Sequence, residues 1–215
     1  MGEILPIRRY SKPYDVFMTN VDHLRTVYKF YPWAAHEMHS MLPQIPTFVN
    51  EFMPGITVEE ALYRIDRSTL IVLCFSVVHL VSIFEDYVNN AVRELMTKII
   101  DAKELLELNK ADTQQSVEEY TAHRQQRIED EVHRLSFKPW REKQQWLYEK
   151  YEIELSEDLK TSMRKVYDTR NKLVHNPAMI DEEEFDINPK FVEWCIDSVV
   201  QVAALIEDVI PKKGS

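Results

Sequence analysis

Leu70-Ile71-Val72-Leu73-Cys74-Phe75-Ser76-Val77-Val78-His79-Leu80-Val81-Ser82-Ile83-Phe84 carries no formal charge, and its apolar residues fall on every side of a helical projection. The uncharged run begins at Ser68, is shorter than the roughly 20 residues a bilayer span needs, and holds Ser68, Ser76, His79 and Ser82. It reads as the buried central helix of a cytoplasmic protein, with His79 a core histidine. Towards the C-terminus the apolar residues narrow to one stripe, Tyr87, Val88, Ala91, Leu95 and Ile99, as in a helix emerging from a packed centre. Towards the N-terminus, Thr57 followed by Glu59 and Glu60 is a helix-start signal. No Pro or Gly intervenes from there to about Asn109. Compact domains seldom hold one helix of that length, so breaks are expected near Arg67–Ser68 and near Ala102.

The rest of the composition agrees with helices. Of 215 residues, 45% are apolar, 11% aromatic and 29% charged, the balance of a globular chain that can bury a core without disulfides or structural metal. The only glycines are Gly2, Gly55 and Gly214, which excludes phosphate-cradling glycine loops and leaves few residues for tight hairpins. An all-α fold follows. The net charge of −10 opposes non-specific adhesion to nucleic acid or to anionic membrane. Cys74 and Cys195, both among apolar neighbours, read as core thiols in a reducing, cytoplasmic compartment. The first residues show neither a secretory pattern nor, with Pro6 where Ser or Thr is wanted, a myristoylation signal.

Six of the ten prolines lie in residues 1–56 (Pro6, Pro13, Pro32, Pro43, Pro46 and Pro54), so this part is expected as an arm of short helices, the chief one over Asp15 to Tyr31. Residues 57–215 form the bundle. Gln114 to Leu135 is polar enough to be an outlying helix with a narrow inward stripe, Val117, Tyr120, Ile128, Val132 and Leu135. Pro139 opens a helix reaching Tyr151, Ser156 caps one running to Asn176-Pro177, and Asn188-Pro189 opens a last helix with Phe191, Cys195, Val199, Val202, Leu205, Ile206 and Val209 inward.

One segment concentrates chemistry: Tyr167-Asp168-Thr169-Arg170-Asn171-Lys172-Leu173-Val174-His175-Asn176-Pro177, at a helix end. Its Arg-Asn-x-x-x-His pattern resembles the signature of HEPN domains, small helical bundles in which such an Arg and His form a ribonuclease site. Glu85, within Phe84-Glu85-Asp86-Tyr87, stands where family members often carry an acidic residue on the preceding core helix. The resemblance covers roughly residues 69–209 and does not extend to the first 56. It implies an HEPN-like bundle that cuts RNA endonucleolytically to a 2′,3′-cyclic phosphate, with catalytic Arg170, Asn171 and His175, Glu85 supporting, and neither metal nor cofactor. It also implies a homodimer, a role as a bacterial toxin or anti-phage effector, and room for an antitoxin or other partner protein. The alternative is a catalytically inactive HEPN-like interaction or immunity module, which the acidic net charge favours.

The residue types suit metal-free RNA cleavage. An imidazole, largely neutral near pH 7, can take the proton of a ribose 2′-hydroxyl. A guanidinium offers a planar fork of donors to phosphate oxygens and stays cationic. Asn171 and His175, four apart, share a helix face, whereas Arg170 lies about 140° from His175 on a continuous helix. Convergence then requires the helix to unwind before Pro177 or the Arg side chain to reach around. A plainer reading pairs Arg170 with Glu85 or Asp168, leaves Asn171 exposed and sets His175 against the helix C-terminus.

Other groups carry weaker signals. His36 and His39 could share a metal but lack further ligands nearby. His133 follows Glu129 as an ordinary helical surface pair, and Glu182, Glu183, Glu184 and Asp186 form a solvated acidic loop. Neither cysteine has a close basic residue in sequence to activate it. Arg124, Arg127, Arg134, Lys138, Arg141, Lys143 and Lys150, interleaved with Trp140, Trp146 and Tyr148, are either a solvated face over buried Trp or an RNA-guiding surface.

Overall fold

The computed structural model describes residues 10–45, 47, 49, 51, 53–108, 114–175 and 187–210, with side chains left aside for 98–121. Among them there is no strand, and the six α-helices are α1 (Lys12–Met41), α2 (Val58–Leu108), α3 (Gln114–Ser136), α4 (Trp140–Tyr151), α5 (Glu157–His175) and α6 (Pro189–Val209). The all-α expectation holds. The acidic loop from Asp181 to Asp186 lies outside the described residues, as do Val117, Tyr120 and Ile99 as side chains.

Two expectations about helix length fail. The N-terminal region does not consist of short helices, because α1 runs for 30 residues with Pro32 inside it. A proline inside a helix removes one backbone hydrogen bond and crowds the preceding turn. The apolar stripe Val21, Leu24, Tyr28 and Ala35 is buried on both sides of Pro32, and that burial holds the helix together across it. Nor does α2 break near Arg67–Ser68 or near Ala102, since it is a single helix of 51 residues. Hydroxyls at and beyond the first expected break are satisfied within the helix: Ser68 donates to the Arg64 carbonyl at 2.8 Å, Thr69 to Ile65 at 2.9 Å and Ser76 to Val72 at 2.8 Å.

The helix starts follow the sequence. The hydroxyls of Thr57 and Ser156 accept from the backbone N–H of Glu60 (3.1 Å) and Leu159 (3.2 Å), and the Asn188 side-chain oxygen accepts from Phe191 at 3.0 Å. Glu152 ends α4 in the left-handed region at φ 56°, its N–H bonded to the Tyr148 carbonyl at 2.9 Å.

Two compact units are distinguished. One comprises Met1–Met18, Phe84–Leu159 and Val200–Ser215. Its centre is aromatic, with Phe17 and Tyr87 ring centroids 5.0 Å apart and Phe84 and Trp140 5.2 Å apart. Tyr87 donates its hydroxyl to the Ala203 carbonyl at 2.9 Å, and burial pushes its ionisation up. Ser11, at the start of α1, donates both its backbone N–H and its hydroxyl to the carboxyl of Glu207, each at 2.6 Å. Glu207 is 1% exposed. Contrary to an outlying placement, α3 buries Ile128, Val132 and Leu135 in this unit.

The other unit comprises Thr19–Ile83 and Lys160–Val199. Leu73, Val77, Leu80, Met163, Val166, Val192 and Ile196 are among its buried residues. Arg25 bridges Glu193 at 3.1 Å and Asp197 at 3.3 Å on its surface. Cys74 and Cys195 are free and buried there, and desolvation pushes their thiols up to about 11 and about 12, outweighing the opposing charges of Arg67 and Lys165. His79 is exposed beside Phe75, which is 66% exposed, so neither is a core residue. On α6, Leu205 and Val209 face out rather than inward, while Val192, Ile196 and Ala203 are buried. By length and composition α2 is apolar enough to cross a membrane, with an 18-residue window of mean hydropathy 2.0, of which 44% is buried.

Candidate functional site

The helix α5 positions Arg170, Asn171 and His175. Ser156 caps its start, and Leu159, Met163, Val166 and Leu173 bury one face, which leaves Asn171 and His175 exposed and Arg170 half-buried. The helix is continuous through His175, so unwinding does not bring the motif together. The Arg170 side chain instead engages its sequence neighbour, Nη1 donating to Asn171 Oδ1 at 3.0 Å. Arg170 Nε is buried without a hydrogen-bond acceptor. Because Asn171 spends its oxygen on the guanidinium, its amide N–H groups are left as donors on the face it shares with His175, one turn further on.

Glu85 belongs to the other unit, and its carboxylate takes the Lys143 ammonium at 3.3 Å. Lys143 is almost wholly buried, so this pair is a partly desolvated one that holds its charges in place. The carboxylate therefore has a partner that the sequence reading did not give it.

The long basic stretch resolves largely into pairs. Arg134 binds Glu131 at 2.6 Å, Lys138 binds Glu142 at 2.8 Å, and Arg124 donates to the Thr97 carbonyl at 2.7 Å. Trp146 Nε1 also donates to Glu131, at 2.8 Å. Glu131 sits below the usual carboxylate range because Arg134 hydrogen-bonds its charged form, with Trp146 adding to this and partial burial opposing it. Trp140 and Trp146 are buried. These contacts match the solvated face over buried Trp.

The histidine candidates for a metal both lie on α1. His39 Nε2 meets Asp66 Oδ1 at 2.7 Å, and His36 is exposed. Among the described residues no three His, Cys, Asp or Glu side chains are grouped to hold a metal ion. Glu129, read as the partner of His133, binds Arg93 at 3.1 Å, while His133 packs edge-on against Phe137 with centroids 4.9 Å apart.

A concentration of positive charge that sequence reasoning missed lies in the same unit as the motif. Arg164, Lys165 and Lys172 on α5 and Lys190 on α6 line a groove of 790 Å³ together with Phe191 and Trp194, and among the described residues Asp168 is the one carboxylate in its lining. The Lys165 ammonium sits 5.4 Å from the Phe191 ring centre and 5.3 Å from that of Trp194. A sequence signal existed: Arg164, Asp168, Lys172 and His175 fall within about 80° of one another around α5. His175 thus continues the groove-lining face of the helix. No family model, no curated protein and no solved structure matches this chain.

Proposed function

We propose that the chain is a metal-independent endoribonuclease of the HEPN type, acting as a toxin or anti-phage effector. The observation that carries this reading is the Arg170–Asn171 contact on the helix whose last turn exposes His175. In the reaction the 2′-oxygen attacks the adjacent phosphorus, forming a P–O2′ bond as the P–O5′ bond breaks. His175 takes the 2′-hydroxyl proton, and Arg170 stabilises the charge that builds on the non-bridging oxygens. Asn171 fixes the guanidinium through its oxygen and offers its amide donors to the imidazole or the phosphate. The departing 5′-oxygen needs a proton, for which the motif supplies no second histidine. A homodimer with two motifs lining one cleft meets that need, and a two-fold dimer is the commonest soluble assembly.

The test is cleavage of a defined RNA by the wild-type chain beside His175→Ala, with product ends analysed. Cleavage that leaves a 2′,3′-cyclic phosphate and is lost in His175→Ala supports the reading. A folded wild-type chain that leaves RNA intact favours the inactive interaction module.

A further inference from the structure

Among the described residues, the groove on α5 and α6 brings four cations and one carboxylate into a concave surface, in a chain whose net charge is −10. Such a local reversal of sign is the footprint of a polyanion site. Its chemistry is not charge alone. Phe191 and Trp194 lie half-buried on the groove wall with ring centroids 5.5 Å apart and planes tilted by 31°, a π surface held in place by α6. The start of α6, capped by Asn188, adds the partial positive charge of a helix N-terminus at the same end of the groove as Lys190. Lys165, resting over both rings, is held at the junction of the cationic and aromatic surfaces.

We propose that this groove binds single-stranded RNA, with phosphates on Arg164, Lys165 and Lys190 and an unpaired base against Phe191 and Trp194. Cations beside an aromatic platform are how single strands are held, because a duplex keeps its base faces stacked away from side chains. An acidic peptide would satisfy the cations but has no need of the π surface. The groove also has a direction. About 16 Å of helix separates Arg164 from His175 on one face, so a strand laid along α5 from Phe191 and Trp194 runs towards the exposed imidazole. The inference rests on the ribonuclease reading only for its choice of RNA as the polymer, since the groove itself is independent of the motif.

The experiment measures anisotropy of a labelled, unstructured RNA of about 12 nucleotides, a length suited to a short single-strand site, titrated with the full chain carrying His175→Ala so that cleavage does not interfere. Lys165→Glu with Lys190→Glu should weaken binding at least about tenfold and flatten its salt dependence, because phosphate contacts are removed. Arg141→Glu with Lys150→Glu makes the same charge change outside the groove and should leave affinity within about twofold. Trp194→Leu, checked for folding by circular dichroism, should weaken RNA and relieve the preference for single strand over duplex. Absence of saturable binding, equal losses in the two charge-reversed pairs, or displacement of the RNA by polyglutamate at equal charge concentration would each overturn the proposal. Cleavage is scored separately on chains with His175 intact. RNA bound through the groove but never cut leaves the groove standing and removes the ribonuclease. His175-dependent cutting with binding untouched by the groove substitutions does the reverse.

Discussion

Arg170 and Asn171, neighbours in sequence, are joined through their side chains, Nη1 of the first donating to Oδ1 of the second at 3.0 Å. Consecutive residues on a helix normally point about 100° apart. The contact therefore bends the arginine round α5 towards the face that carries His175. A guanidinium held on one side loses less freedom when it meets phosphate, which is the sense in which the asparagine prepares the arginine.

His175→Ala and Arg170→Ala should each lower RNA cleavage by at least about 100-fold, the scale for losing a positioned base or a charge-stabilising donor. Asn171→Ala should cost less. Since Arg170 and Asn171 act as one unit, the double substitution should cost less than the product of the single losses. Steady-state cleavage rates of the four variants decide this, and losses that multiply would separate the two residues.

The proposed chemistry draws its base and its positive charge from side chains, so cleavage should persist in excess EDTA. Loss of activity in chelator, restored by magnesium or zinc, would contradict the mechanism.

Subunit mixing reads the shared cleft. Wild type exchanged with an excess of folded His175→Ala should lose activity as the square of the wild-type fraction, because only dimers with two intact histidines cut well. A linear dependence, or full activity from a chain that is monomeric by light scattering, would assign the reaction to single chains.

Ser11→Ala should destabilise the protein by about 1–3 kcal/mol, because it leaves a buried Glu207 oxygen without its hydroxyl donor and removes the hydroxyl that accepts from Tyr14 at the start of α1. Adding Glu207→Leu to Ser11→Ala should recover part of the loss, as an apolar side chain carries no unmet hydrogen bond. Denaturant midpoints of the single and double variants report both effects.

Glu131 gives stability a dependence on acid. Its ionised form is favoured in the folded chain, chiefly by Arg134 and then by Trp146, so its contribution is present above its ordinary value of 4.5. That contribution disappears as the pH falls through the lowered folded value. The stability gap between wild type and Glu131→Gln should stay constant from about pH 7 to about pH 5 and close on further acidification. A gap independent of pH down to about pH 2 would show that the carboxylate's charge is not what matters.

Local signals carried most of the fold. Thr57, Ser156 and Asn188 each bond the backbone three residues on, as capping chemistry requires, and these starts need no knowledge of the rest of the chain. Where tertiary packing decides, the sequence misleads. Pro32 stands inside α1 because apolar residues on both sides of it are buried, and no property of Pro32 announces that. His79 lies in an uncharged run yet is exposed, since a helix apolar all round can still leave one side uncovered. In the candidate site, the shared face of Asn171 and His175 follows from their spacing, whereas the bend of Arg170 depends on a rotamer. The groove escaped because part of its wall comes from α6, and Phe191 read as an inward residue of that helix rather than as the wall of a cavity.

The two buried thiols make the protein its own reporter. Cys74 and Cys195 sit in one unit, on α2 and α6, at 2% and 0% exposure, and both are pushed far above neutral pH. A maleimide or disulfide reagent can therefore consume them only as fast as their surroundings open, and reaction rates become clocks of local opening at two fixed points. Cys195 directly follows Trp194 in the chain, which places one clock next to the groove and leaves the other on a separate helix. No label has to be engineered, and any ligand that tightens α6 would be timed by the molecule itself.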